Sequence, residues 1–208
     1  MTCKGRVGGF VMRIGGVCSA LAVLLVALSG SGDALAQPSS LSAYLDGLRK
    51  VSCPAGLASR PPEVIAIKAV PVPLQGLNPG RKTIGQLTYV AGFQLTSEDK
   101  RFGGLSGLDL LEDGNLLAVS DTGAFVWIDL AGDGVTPVAA RIAAMNDAAG
   151  KPFPTKGAGD AEGLAVNGGL ALVSFEGDNR VLAYDINACG AAARGAPVGW
   201  GMATAFAR

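Results

Sequence analysis

From residue 104 onward the chain alternates short apolar runs with turn residues, and the alternation repeats. Leu164-Ala165-Val166 runs into Asn167-Gly168-Gly169, and Leu170-Ala171-Leu172-Val173-Ser174-Phe175 returns. Two apolar runs joined by an Asn-Gly turn predict a β-hairpin, because both residues tolerate the positive φ that such turns need. Upstream, Gly104-Leu105-Ser106-Gly107-Leu108-Asp109-Leu110 leads into the turn Glu112-Asp113-Gly114-Asn115. Leu116-Leu117-Ala118-Val119-Ser120-Asp121 returns, and Phe125-Val126-Trp127-Ile128-Asp129-Leu130 supplies a third strand. Its downstream counterpart is Val181-Leu182-Ala183-Tyr184-Asp185-Ile186. Gly107 to Asp129 spans 22 residues, Gly163 to Asp185 spans 22, and the units lie 56 apart. Each second strand carries Val-Ser near its end, as Val119-Ser120 and Val173-Ser174. Such self-similarity predicts an all-β, β-propeller-like fold with antiparallel four-stranded blade units. The chain has material for about three blades, and the smallest closed propellers have about four. An open ring exposes sheet edges. The ring is therefore expected to be truncated here, or completed by another chain.

Elsewhere the pattern is plainer. Leu41, Tyr44, Leu45 and Leu48 share one face of a predicted helix over 41–50. The β-branched run over 63–70 predicts one strand, and 84–95 a strand pair bent at Ala91-Gly92. Residues 135–145 predict a strand, with a helical end as the alternative, 146–159 a long Gly-, Pro- and Lys-containing loop, 188–196 a small-residue loop, and 198–206 the opening of one more strand.

The first 36 residues carry a basic start (Lys4, Arg6, Arg13), an apolar core over 17–28 and the small-x-small site Ala34-Leu35-Ala36. That is the layout of a cleaved signal peptide, and the apolar run falls short of the roughly 18–20 residues that span a bilayer. Export to the periplasm or medium is expected, with cleavage after Ala36 and no stable membrane span afterwards. Cys18 lies inside the apolar core with no lipobox before it, which argues against lipidation. From Gln37 onward the chain holds 14 basic and 16 acidic residues. No basic run with interleaved aromatics recruits nucleic acid. Cys53 and Cys189 remain as an even pair 136 residues apart, either bridged in an exported chain or present as two free thiols.

There is no histidine, which excludes a Ser-His-Asp triad and His-ligated zinc from this chain. Hydrolysis would have to rest on carboxylates, metal, Lys, Arg or hydroxyls. Asp160, Glu162 and Glu176 fall within 17 residues. Asp160 and Glu162 are two apart at the mouth of one strand, so they share a face. Glu176 leaves the far end of the next strand, which in a hairpin lies beside the start of the first. The three should gather at one rim, with Asp121 from the neighbouring unit as a fourth. Clustered oxygens suit Ca²⁺, a hard cation, so these four are the candidate metal ligands, with Glu162 and Glu176 as candidate catalytic residues. Isolated acids at strand ends otherwise cap turns, and Asp129 and Asp185 are expected to do so. Lys151 and Lys156 precede the acids and could contact a phosphate, although a solvated loop face is the simpler expectation. Ser106 does not stand in a Gly-x-Ser-x-Gly elbow. Trp127 and Tyr184 are expected to pack in the core or at the rim.

Arg101-Phe102-Gly103-Gly104-Leu105-Ser106-Gly107-Leu108, Leu117-Ala118-Val119-Ser120-Asp121, Asp160-Ala161-Glu162-Gly163-Leu164 and Ser174-Phe175-Glu176, in that order, resemble the phytase-like family, whose bacterial members are described by an esterase-like activity of phytase. The resemblance covers residues 84–186. The Asp-x-Glu-Gly-Leu element is similar to one in calcium-dependent β-propeller phytases, where such carboxylates hold metal near the phosphate. After the signal peptide over 1–36 and an N-terminal segment over 37–62, the resemblance implies a phytase-like propeller domain over 63–208, expected to be truncated at its C-terminal end. It implies a metal-dependent hydrolase of a small-molecule ester or phosphate ester. The alternative is a non-catalytic periplasmic binding module with structural calcium.

Overall fold

The computed structural model describes residues 40–199. The expected signal peptide over 1–36, and all but the first two residues of the strand expected over 198–206, lie outside them. The architecture is mostly β, with antiparallel sheets, none of them closed.

Helix α1 (Leu41–Ser52) begins where Ser40, in extended conformation, accepts a hydrogen bond from the Ala43 amide at 3.2 Å. This satisfies one of the amides that a helix start leaves unpaired. Arg49 and Lys50 stand in the last turn, where cations complement the helix dipole. The helix ends at Cys53-Pro54.

The expected strand over 63–70 is two strands in two sheets. β1 (Glu63–Ile65) and β2 (Lys68–Pro71) are separated at Ala66, whose carbonyl accepts the Ser97 hydroxyl instead of a ladder partner. The pair expected over 84–95 divides likewise. β3 (Thr83–Ile84) and β4 (Leu87–Thr88) form a small hairpin, while β5 (Phe93–Thr96) pairs with β2.

The two repeat units fold as two sheets. β6 (Leu105–Leu110), β7 (Leu116–Ser120), β8 (Ala124–Leu130) and β9 (Pro137–Ala144) pair in sequence, and β1 adds to the outer edge of β9. β10 (Ala161–Asn167), β11 (Leu170–Phe175), β12 (Arg180–Asp185) and the short β13 (Ala196–Pro197) pair in the same order. Between β12 and β13, the helical turn α2 (Ile186–Cys189) interrupts the expected small-residue loop. Gly168 and Gly169 both have positive φ between β10 and β11. This two-residue connection matches the right-handed twist of its strands.

One face of each sheet packs on the other. Leu117, Val119, Phe125, Trp127 and Met145 meet Ala161, Val173, Phe175, Leu182 and Tyr184. Phe125 packs edge-on against Tyr184 at 5.1 Å, so Trp127 and Tyr184 are core residues. The outer face of the first sheet buries Val126, Ile128 and Ile142 under Ile67, Leu95 and Phe102. On the outer face of the second, Leu48 of α1 covers Leu170, Ala183 and Ala196. A disulfide joins Cys53 to Cys189, with Cα atoms 5.7 Å apart, and fastens the end of α1 beside the second sheet. Asp185 is buried, caps α2 and faces Arg49 at 3.5 Å, while Asp129 pairs with Arg141 at 2.6 Å. Only Asp185 therefore serves a chain reversal. Asp129 lies within β8, where a cross-strand ion pair satisfies it.

The first strands of the two sheets, β6 and β10, lie side by side. A Cβ added at Gly107 would stand 2.9 Å from the Leu164 backbone nitrogen, so only glycine permits this approach. Asp109 bridges the seam by accepting the Val166 amide at 2.6 Å. Replacing Asp109 with Ala should leave that amide without its partner and cost about 1–3 kcal/mol. Asp109→Asn, which keeps an acceptor, should cost less. Denaturant midpoints of the two variants against wild type check this.

Candidate functional site

The site stands at the strand ends opposite the Gly168-Gly169 turn, and a backbone irregularity builds it. In β10 the register shifts between Ala161 and Gly163, so Glu162 is the extra residue of a β-bulge. Ala161 is fully buried while Glu162 is exposed. The extra residue then returns Leu164 and Val166 to the core side. Without it, strict alternation would place Gly163 and Ala165 there instead. Gly163 follows because a Cβ would lie 2.6 Å from the Ser174 hydroxyl.

Beyond the bulge, the Glu176 amide donates to the Asp160 carbonyl at 2.9 Å, which draws the two chain segments together. Asp160, Glu162 and Glu176 each offer a carboxylate oxygen within 4.8 Å of the others, with Asp160 half-buried and the two glutamates exposed. Asp121 is not one of this group. Its carboxylate lies over Gly104 and joins the site through Lys156, whose ammonium is 3.2 Å from Asp121 Oδ2 and 3.0 Å from Asp160 Oδ1.

The first sheet carries the same construction with different side chains. Its register shifts at Ser106, and the Asp121 amide donates to the Gly104 carbonyl at 2.8 Å. Ser106 thus occupies the place of Glu162, Gly104 that of Asp160, and Asp121 that of Glu176. Ser106 Oγ donates to the Gly104 carbonyl. The pairing also corrects the Val-Ser correspondence. Gly107 faces Val119, whereas Gly163 faces Ser174. The first hairpin is longer by one residue and the next turn shorter by one, so the 22-residue spacing survives the difference.

Lys156 is exposed on the loop, as expected, and is also the cation of the site. Hydrogen bonds to Asp160 and then Asp121 hold its pKa above the ordinary 10.5. The 3₁₀ turn over Lys156–Ala158 carries it, capped by the Thr155 hydroxyl. Gly159 packs on the backbone of Gly123, where a Cβ on either would stand 3.1–3.2 Å from the other's Cα, closer than ordinary contact. Arg180 completes the mount. Its guanidinium lies 4.5 Å from the Phe175 ring and 5.3 Å from Phe153, donates to the Ala158 carbonyl, and pairs with Asp178 at 2.8 Å. Arg180 was not singled out from the sequence, and the only signal was its place at the start of the third strand. Lys151 is exposed, and its amide closes the Asp147 turn.

Arg180→Met should free the loop, so amide exchange over 156–160 should quicken while that of β8 stays unchanged. The Lys156 tether has a folded pKa above its ordinary value. Its contribution is complete below pH 10.5 and should fade only as the pH rises through the raised value. Exchange measured between neutral and strongly alkaline pH checks both.

Comparison with known proteins agrees with the motifs. The family model for phytase-like proteins, described as esterase-like activity of phytase, matches residues 100–205, and this span contains every site residue named above. No curated protein and no solved structure matches the chain. With the match extending over half its length, the chain belongs to the phytase-like family.

Proposed function

We propose that this protein is an exported, metal-dependent hydrolase of phosphoric esters. The observation that carries the reading is the convergence of Asp160, Glu162 and Glu176 within 4.8 Å at the bulged rim. Three exposed or half-exposed carboxylates without a cation among them repel, and only Asp160 has Lys156. The donor set is all oxygen and flexible, which fits Ca²⁺ with its roughly six to eight ligands and leaves room for water and substrate. Asp160, Glu162 and Glu176 would hold it, and Asp121 would act at one remove through Lys156. When bound, such an ion stabilises negative charge developing on a phosphoryl oxygen. Glu162 and Glu176 are exposed, so either can accept the proton of an attacking water. Lys156, exposed between Asp121 and Asp160, has one further N–H to donate to an anionic ester. Family membership supports phosphate ester chemistry, and the lack of histidine leaves the carboxylates as the available bases.

Export is supported by the Cys53–Cys189 bridge, since such bonds persist in oxidising compartments. The described residues contain no helix long and apolar enough to cross a membrane. We read the two sheets as neighbouring propeller blades. Each runs outward from its first strand in the same order, and the first strands abut at Gly107 and Leu164, as inner strands do around a propeller axis.

Calcium at a hundred times its dissociation constant should stabilise the fold by about 2.7 kcal/mol over protein in chelator. Glu162→Gln keeps the shape and removes a charge, so it should shrink that difference. Thermal unfolding of both proteins in both conditions is the measurement. Equal melting in all four would remove the metal from the proposal.

A further inference from the structure

Next to the carboxylate rim lies a cleft of about 530 Å³, within the roughly 300–1,000 Å³ typical of small-molecule sites. Phe153, Leu182, Pro197 and Ala148 give it an apolar lining, and Asp178 and Arg180 stand at one wall. That wall belongs to the site as well. Ala158 lines the cleft two residues before Asp160, and Asp178 lines it two residues after Glu176. Two residues of chain reach at most about 7 Å. The Cα atoms of Ala158 and Asp178 therefore stand within about 7 Å of those of Asp160 and Glu176, a span comparable to the organic part of a small ester. A second cleft of the same volume, floored by Trp127 and Arg141, opens at the other ends of the strands, by the Gly168-Gly169 turn.

The charges decide what the nearer cleft accepts. Among the described residues, Arg180 is the one cationic side chain in its lining, and it is already committed to Asp178, to the Ala158 carbonyl and to two aromatic faces. Asp147 and Asp178 also line it. Each additional phosphate brings about −1.5 to −2 charges, which in this lining would face the Asp147 and Asp178 carboxylates and an Arg180 already paired. Phe153 and Leu182 instead offer apolar surface, which gains when covered.

We propose that this cleft holds the organic group of the substrate, and that the substrate is a monoester of an apolar aryl or alkyl alcohol rather than a polyphosphorylated polyol. This rests on the reading of the rim as a hydrolytic site. Hydrolysis breaks the bond from phosphorus to the alcohol oxygen. Water supplies the oxygen that phosphorus gains and the proton that the departing alcohol takes.

The test compares 4-nitrophenyl phosphate, glycerol 2-phosphate and inositol hexakisphosphate as substrates of the full chain in Ca²⁺, with wild type and Ala148→Trp. Ala148 is exposed, so the bulky side chain narrows the cleft without entering the core. Wild type should prefer the aryl ester by about tenfold or more, and Ala148→Trp should raise KM for that ester far more than for the glycerol ester. Preference for the hexakisphosphate, or an aryl KM untouched by the substitution, overturns the proposal. Calorimetry with phenylphosphonate, which is not hydrolysed, separates the two readings. If no ester is turned over but phenylphosphonate binds wild type and not Ala148→Trp, the hydrolytic reading fails while the cleft keeps its aryl ligand. No binding to wild type overturns the cleft as well.

Discussion

One inserted residue governs this molecule. At Glu162 the strand β10 takes an extra position, and every neighbouring side chain depends on where that position falls. Ala161 before it and Leu164 after it both face the buried side, which strict alternation forbids. The carboxylate is turned outward at the point where the returning strand delivers Glu176. Removing the extra residue would exchange the two faces of β10 beyond it, losing core contacts and separating the acids. Burial of the β10 core residues and assembly of the rim are thus one constraint.

The loop before β10 answers to the same rim. Two cations divide the labour: Lys156 in the loop meets the acids, and Arg180 at the start of β12 holds the loop that presents Lys156. Surface ion pairs contribute little on their own, and Lys156 is more than half exposed. What gives its position definition is the packing below it, from Gly123 against Gly159 and from Phe153 and Phe175 against the guanidinium. The site therefore joins both sheets, with Asp121 on one, Glu162 and Glu176 on the other, and a clamped loop between them.

Much of this was legible in the sequence. The paired Gly-to-Asp spacings marked two units, and the hairpin logic brought Glu176 to the start of its partner strand. What failed did so for non-local reasons. The run over 63–70 has uniform strand propensity, and nothing local says that it must change sheets at Ala66. The Val-Ser correspondence was attractive because two unequal turns conceal each other in the overall count. Lys156 reads as an ordinary loop cation and Arg180 carries no local signal, since Asp121 in the one case and the Ala158 carbonyl and Phe153 in the other come from other segments. The bulges were invisible for a related reason: they follow from close approaches at Gly107 and Gly163, to a neighbouring strand in one case and to a cross-strand hydroxyl in the other. The disulfide was open on sequence alone, because an even pair of cysteines gives a count and not a distance.

The central claim is that the bulge assembles Asp160, Glu162 and Glu176 into one cation site. The most direct measurement is anomalous diffraction from crystals grown with Tb³⁺, an oxygen-seeking substitute for Ca²⁺. The expected result is an anomalous peak bounded by those three carboxylates. A peak held elsewhere, with the three carboxylates bare, would contradict the claim.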